Sequence, residues 1–319
     1  MNKAVDTTTA GSPASGPSSP ARVKRRIAKA PLTDRVIEVI LFLAGVSSVM
    51  ITLGIAGTLV YESFAFFRVV SLADFFTDRH WTPLFAEAHF GIMPLVTGTL
   101  VTTGVALLIA LPIGTIIAIY LSEFAPARLR EGIKPVLELL SAVPTVVYGY
   151  FALQLISPIV QKLVPGTPAF NMLSAGIVMG IMIVPYVSSL SEDALRAVPM
   201  LLREGAYALG ANRLITALKV VYPSAISGIA SAYILGISRA IGETMIVAIA
   251  AGTQPNLTLD PREGAATITA FIVQASLGDN PHDSIGYKSI FAAGLVLFIM
   301  TLAINILGYW LRKRYREAY

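Results

Sequence analysis

Arg239 and Glu243 stand four residues apart inside an otherwise apolar run, residues 223–252. On a helix that spacing places both side chains on one face, one turn apart. Arg239 lies sixteen residues past Pro223, which at a rise of 1.5 Å per residue is about 24 Å, near the middle of a membrane. An arginine at that depth costs at least about 2.5–3.5 kcal/mol by insertion scales and needs a partner or water. Two chemistries compete: an internal ion pair that neutralises both groups, or a gate and transient site for an anion. A guanidinium offers two parallel N–H donors, which suit a tetrahedral oxyanion. The adjacent carboxylate repels a fully ionised anion but accepts a hydrogen bond from one that still carries a proton, which favours phosphate over sulfate. Against the ion pair stands the observation that buried pairs are often no more stable than apolar residues in their place.

Nothing in the chain reads as catalytic machinery. The patterns GxxxxGK followed by Ser or Thr, HExxH and GxSxG are missing, and there are no cysteines. The chain is expected not to be an enzyme and to hold no cofactor. If it uses ATP, the nucleotide and its magnesium belong to another polypeptide, and some part of this chain must receive that partner's motion. The three histidines, His80, His89 and His282, show no metal-ligand spacing, so no metal site is expected.

The segment 192–222 is long and helical enough to receive such motion. Ala194, Leu195, Val198, Leu201, Leu202, Ala206 and Leu209 recur near helical spacing, with Arg196, Arg203 and Glu204 turned elsewhere. One apolar face of this kind fits a cleft on a soluble partner or lies on lipid headgroups, and the pattern leaves both open. Gly210 ends the first helical piece in the manner of a C-cap, and Pro223 marks entry to the next span.

These segments sit in a chain of 319 residues that is 55% hydrophobic and 13% charged, about half the charge of a soluble domain. Six apolar runs reach membrane length: 36–60, 94–120, 136–160, 171–191, 223–252 and 287–311. The predicted class is therefore an all-α membrane protein with six transmembrane helices. Eighteen Lys and Arg fall in the N-terminal segment, 121–135, 192–222 and the C-terminus, against five in the intervening loops. That asymmetry puts both termini in the cytoplasm of a bacterial plasma (inner) membrane. The +5 net charge follows this sidedness and forms no single patch, so no nucleic-acid partner is expected.

Residues 1–34 read as a disordered cytoplasmic tail ending in a basic collar, and 35–319 as the membrane domain. The first outer loop, 61–93, is rich in aromatic residues and is expected in part at the headgroup level. Pro112, Pro144, Pro158 and Pro185 break hydrogen-bond ladders, while Gly98, Gly104, Gly114, Gly149, Gly176 and Gly180 allow close helix approach.

Glu204, Ala206 and Gly210, followed after nine residues by Val220, Tyr222 and Pro223, resemble the EAA loop of ABC-importer permeases. Gly205, Val220 and Tyr222 are mild departures from it. Further stretches, including AVPTVVYG at 142–149 and RAIGETM at 239–245, resemble the phosphate ABC-importer permeases, over about residues 36–315. The similarity is to one of the two sister subunits of such importers. It implies a type I ABC-importer permease fold and alternating access driven by a separate ATPase. The implied partners are a second homologous permease subunit, an ATPase subunit dimer, a soluble phosphate-binding protein and the lipid bilayer. It further implies that Glu204, Gly205, Ala206, Gly210 and Pro223 couple to the ATPase, and that Arg239 and Glu243 lie on the substrate pathway. Within the same fold the alternative substrates are molybdate or sulfate, and the alternative subunit is the sister permease. From another class, a channel or ion-coupled transporter stays open.

Overall fold

The computed structural model describes residues 32–85 and 87–314, which form helices and connecting loops with no strand among them. The expected basic collar and the tail up to residue 31 lie outside the described residues.

In chain order the helices are α1 (Leu32–Phe67), α2 (Leu72–Thr77), α3 (Met93–Ile119), α4 (Ala127–Ala142), α5 (Thr145–Phe151), α6 (Ser157–Leu163) and α7 (Met172–Arg196). They continue as α8 (Met200–Ala208), α9 (Arg213–Thr216), α10 (Tyr222–Ser224), α11 (Ile226–Ile241), α12 (Met245–Ala250), α13 (Ile268–Leu277) and α14 (Ile285–Arg314). Four helical stretches are long and apolar enough to cross a membrane: Asp34–Phe67, Met93–Phe124, Met172–Arg196 and Ile285–Leu311. Two bent pairs bring the number to six if each pair is one span.

Proline chemistry explains the bent and widened helices. The run 136–160, expected as one helix, turns by 87° between α4 and α5. Val143, ahead of Pro144, is held extended at φ −62°, ψ 131°, because the proline ring excludes the helical conformation of the residue before it. The π turn Tyr120–Phe124 ends at extended Ala125 ahead of Pro126, whereas two others, Ala152–Ile156 and Ala217–Val221, run on in helical conformation into Pro158 and Pro223, two residues past their ends. A proline ring clashes with the carbonyl four residues back, which falls in the middle of each of the latter two turns. Widening the backbone to i→i+5 bonding moves that carbonyl aside. Pro112 and Pro185 lie inside continuous helices, α3 and α7.

The chain divides into two units. Among the described residues, the first holds the start of α1 up to Gly54, where apolar side chains such as Ile40, Phe42 and Ile51 are all exposed, as a helix bathed in hydrocarbon requires. The second, from Ile55 onward, carries the packed interior. Its centre is the α3–α7 pair. A Cβ on Gly176 would lie 2.6 Å from the Val105 side chain, and one on Gly180 would lie 2.8 Å from the Ala106 carbonyl. With no hydrophobic drive between helices in lipid, such close backbone approach supplies the dispersion contacts that hold them together. Gly104, expected in the same role, has nothing within 4 Å of its Cβ position.

Part of the aromatic segment 61–93 is drawn inward. Phe66 and Phe75 are fully buried and Trp81 nearly so. Their rings meet edge to face, Phe66 against Phe75 at 5.8 Å and Trp81 against Phe271 of α13 at 5.1 Å, while Phe64, Phe76 and Phe85 stay exposed. The segment therefore has a small core of its own, because edge-to-face pairing rewards rings that can leave solvent together.

Candidate functional site

Arg239 and Glu243 do not share a helix face. Helix α11 stops at Ile241, and Gly242 and Glu243 turn the chain before α12 begins at Met245. The run 223–252 is thus broken at the residues expected to form one turn.

Glu243 points inward and is 8% exposed. Its Oε1 accepts from the backbone N–H groups of Met245 at 3.0 Å and Ile246 at 3.4 Å. These are first-turn amides with no partner inside their own helix, so the carboxylate both satisfies them and complements the positive helix end. The Glu243 carbonyl in turn accepts from Thr269 Oγ1 at 2.7 Å. Thr269 shares a 3.0 Å hydrogen bond with Thr267, the N-cap of α13, and the next amide, Ile268 N–H, donates to Thr99 Oγ1 of α3 at 3.0 Å. Buried threonines from α3 and α13 therefore pin the broken helix. Gly149 of α5 lies against α12, where a Cβ would come within 3.2 Å of the Met245 carbonyl.

Arg239 turns the other way. Its side chain is exposed, the guanidinium lies over the Tyr186 ring at 5.6 Å, and it makes no ion pair among the described residues. Tyr186 also lines a cleft of about 150 Å³ between α4 and α7, together with Glu138, Ser141 and Ser189. Both Tyr186 and Glu138 escaped the sequence reading, since neither carries a motif and only the packing of α4, α7 and α11 gathers them.

The polar loop is assembled as two helices around a glycine. Pro199 precedes α8, which ends in a Schellman turn: Ala211 N–H donates to the Ala206 carbonyl at 3.0 Å and Gly210 N–H to the Tyr207 carbonyl at 2.9 Å. Gly210 sits at φ +82°, the left-handed region this turn requires. Asn212 then caps α9 by accepting from Ile215 N–H at 2.9 Å. Glu204 and Gly205 are exposed, Ala206 is buried, and Glu204 makes no ion pair among the described residues. Pro223 lies within the segment Arg213–Ser224, which meets α11 at 71°, so the straight part of the span starts at Ile226.

The expected single apolar face divides in two. Leu195 and Val198 are buried in a cluster with Ala118 and Ile229 of α3 and α11, with Leu202 half-buried beside them, and Ala206 is buried as well. Leu201 is 78% exposed and Leu209 90%. Arg203, expected on the polar side, turns inward to Glu123. A one-dimensional periodicity could not distinguish the side that meets the bundle from the side left free.

Comparison with known proteins agrees with this architecture. The family described as "Binding-protein-dependent transport system inner membrane component" matches residues 110–317. The probable ABC transporter permease protein YqgH of Bacillus subtilis is 33% identical over 86% of this chain and 87% of its own. Phosphate transport system permease protein PstC 1 of Mycobacterium tuberculosis is 33% identical over 88% of this chain and 94% of its own. Among solved structures, a bacterial ABC transporter involved in alginate import superposes with a TM-score of 0.60 at 14% identity, covering 89% of this chain and 99% of the other. The MetNI methionine ABC transporter gives 0.53 at 18% identity, covering 71% and 95%. The fold is that of the type I ABC-importer permeases, and with apolar helices, a helical loop between two of them and matches that run through most of its length, this multi-pass inner-membrane chain belongs to the binding-protein-dependent transport system inner membrane component family.

Proposed function

We propose that the chain is one permease subunit of an ATP-driven importer of inorganic phosphate, forming half of the translocation pathway and working by alternating access. The observation that carries this reading is its 33% identity, along 88% of its length, to a permease named for phosphate transport. A second homologous permease, PstA-like, forms the other half. A PstB-like ATPase dimer hydrolyses ATP with its own magnesium, and a PstS-like binding protein delivers phosphate from outside. Both termini and the loop 192–222 face the cytoplasm.

In this reading Arg239 and Glu243 lie on the pathway. An exposed guanidinium within a span is costly in lipid, so water or the second permease must face it. Its donors are then free for an oxyanion while the Tyr186 ring steadies it. Glu243 keeps the break in shape by holding the first amides of α12. The exposed Glu204, with Gly205, Ala206, Gly210 and Pro223 shaping the loop, meets the ATPase.

Uptake of labelled phosphate by cells lacking this chain tests the assignment. Loss of uptake, restored by the gene and unaffected by excess sulfate or molybdate, is the expected result. Competition by molybdate or sulfate would move the cargo to that oxyanion. Uptake by the reconstituted permeases without ATPase subunits would point instead to a channel or ion-coupled transporter.

A further inference from the structure

Arg203 is the hub of a buried charge network that joins the polar loop to the membrane helices. Its side chain is 11% exposed and that of Glu123 is 5% exposed. Nη2 meets Glu123 Oε1 at 2.9 Å and Nε meets Oε2 at 3.4 Å, a two-pronged grip, and Ser122 Oγ donates to the same Oε1 at 2.9 Å. Nη2 also donates to the Leu195 carbonyl at 2.9 Å, and Nη1 donates to the Val198 carbonyl. One guanidinium thus ties α8 to the π turn that ends α3 and to the last turn of α7. The α7 contact falls where carbonyls lack helical partners and the helix end is negative.

A second brace lies alongside. Lys134 of α4 reaches Glu192 of α7 at 3.1 Å and Asp193 at 3.2 Å, and Arg196 stands 3.7 Å from Glu192, whose side chain is fully buried. The path continues through close packing. A Cβ on Gly228 of α11 would lie 2.5 Å from the Ala194 Cβ of α7, and one on Gly236 would lie 3.0 Å from Val187. Helix α11 carries Arg239.

We infer that the Arg203–Glu123 brace is the rigid joint through which displacement of α8 is passed to α3 and α7, making Arg203 and Glu123 positioning residues for energy coupling. This deepens the coupling role proposed above and rests on it. The physical ground is that α8 cannot shear against these helix ends without leaving a charge buried and unpaired, which is strongly unfavourable. A hydrophobic contact alone would let the loop slide. The exposed Glu204 offers a contact to the ATPase, whereas its neighbour Arg203 faces the other way and fastens the loop behind that contact.

The test uses the complete complex in liposomes, measuring phosphate moved and ATP hydrolysed in the same preparation. Arg203→Gln is expected to copurify with the ATPase and to hydrolyse ATP, with transport per ATP lowered about tenfold, within the roughly 5–150-fold span of ordinary coupling energies between sites. Glu123→Gln, which leaves Arg203 its two carbonyl partners, is expected to show a smaller drop in the same ratio and serves if Arg203→Gln does not assemble. Because the chain has no cysteine of its own, the double variant Glu123→Cys/Arg203→Cys can be bridged by a short bifunctional thiol reagent. Bridging is expected to restore the ratio that the unbridged variant loses. A normal transport-to-ATP ratio in the variants, or a bridge that halts transport, overturns the joint. ATP hydrolysis without any phosphate movement by the unaltered complex would instead overturn the transporter reading.

Discussion

Two pairs of opposite charges have opposite fates in this molecule. Arg239 and Glu243 are neighbours in sequence, yet a helix break parts them: the carboxylate goes inward to cap α12 and the guanidinium goes outward over Tyr186. Glu123 and Arg203 lie far apart in sequence, yet meet at 2.9 Å in a nearly closed pocket. The first arrangement leaves a charge available and the second consumes two charges in holding helices together. Proximity along the chain therefore says little about pairing in a helical membrane protein, where a turn of three residues can redirect a side chain. What separates an available charge from a fastened one, among the described residues, is whether a partner reaches it.

The contrast can be broken most directly at Arg239. Arg239→Gln should lower phosphate uptake about tenfold to a hundredfold, the worth of a charge-assisted hydrogen bond at about 1.5–3 kcal/mol, while the complex still assembles. Unchanged uptake would show the exposed guanidinium to be idle. At the loop, Glu204→Lys should weaken copurification with the ATPase about tenfold by setting a like charge where an acidic group is expected to dock. Retained association with full coupling would mean that the loop only rests on the membrane surface.

A smaller effect separates the two duties of Glu243. Glu243→Ala should reduce thermal stability by about 1 kcal/mol, the usual worth of a helix cap, whereas Glu243→Gln keeps an acceptor and should lose less. If both lose equally, the carboxylate charge is what matters to the helix. The smallest change concerns an exposed pair outside the spans. Arg262 donates to Asp260 from Nε at 2.9 Å, and this hydrogen bonding holds the Asp260 carboxyl down to about 2. A depressed carboxyl contributes order above its ordinary value near 3.8 and loses it as pH falls through about 2. The protection of residues 256–264 against hydrogen exchange, corrected for intrinsic amide exchange, should stay constant down to about pH 4 and fall below it, and Arg262→Gln should lower that protection above pH 4 and flatten the fall.

Much of the fold was legible in the residues. The apolar runs over 36–60, 94–120, 171–191 and 287–311 correspond to helices long enough to span, because hydrocarbon demands internally satisfied backbone and leaves no other local solution. Gly210 as the end of a helix was equally legible, since the left-handed turn it occupies excludes most other residues. The break ahead of Pro144 in the run 136–160 was legible as a ladder-breaking proline, whereas the turn at Gly242 inside 223–252 was not, because hydropathy counts side chains and is blind to the backbone. The buried role of Arg203 was also invisible, for its partner lies on another helix and no spacing rule links them.

The composition alone determined a membrane-embedded helical chain with no cysteine, and the EAA-like spacing determined which loop stands apart. These are local or summed properties, and water and lipid impose them on any chain with this order of residues. Tertiary structure decided which face of that loop is free, which charges are paired and which way Arg239 points. Such outcomes depend on helices from distant parts of the sequence arriving at the same place, where a carboxylate within hydrogen-bonding reach turns a charge into a fastening and its absence leaves the charge free to act.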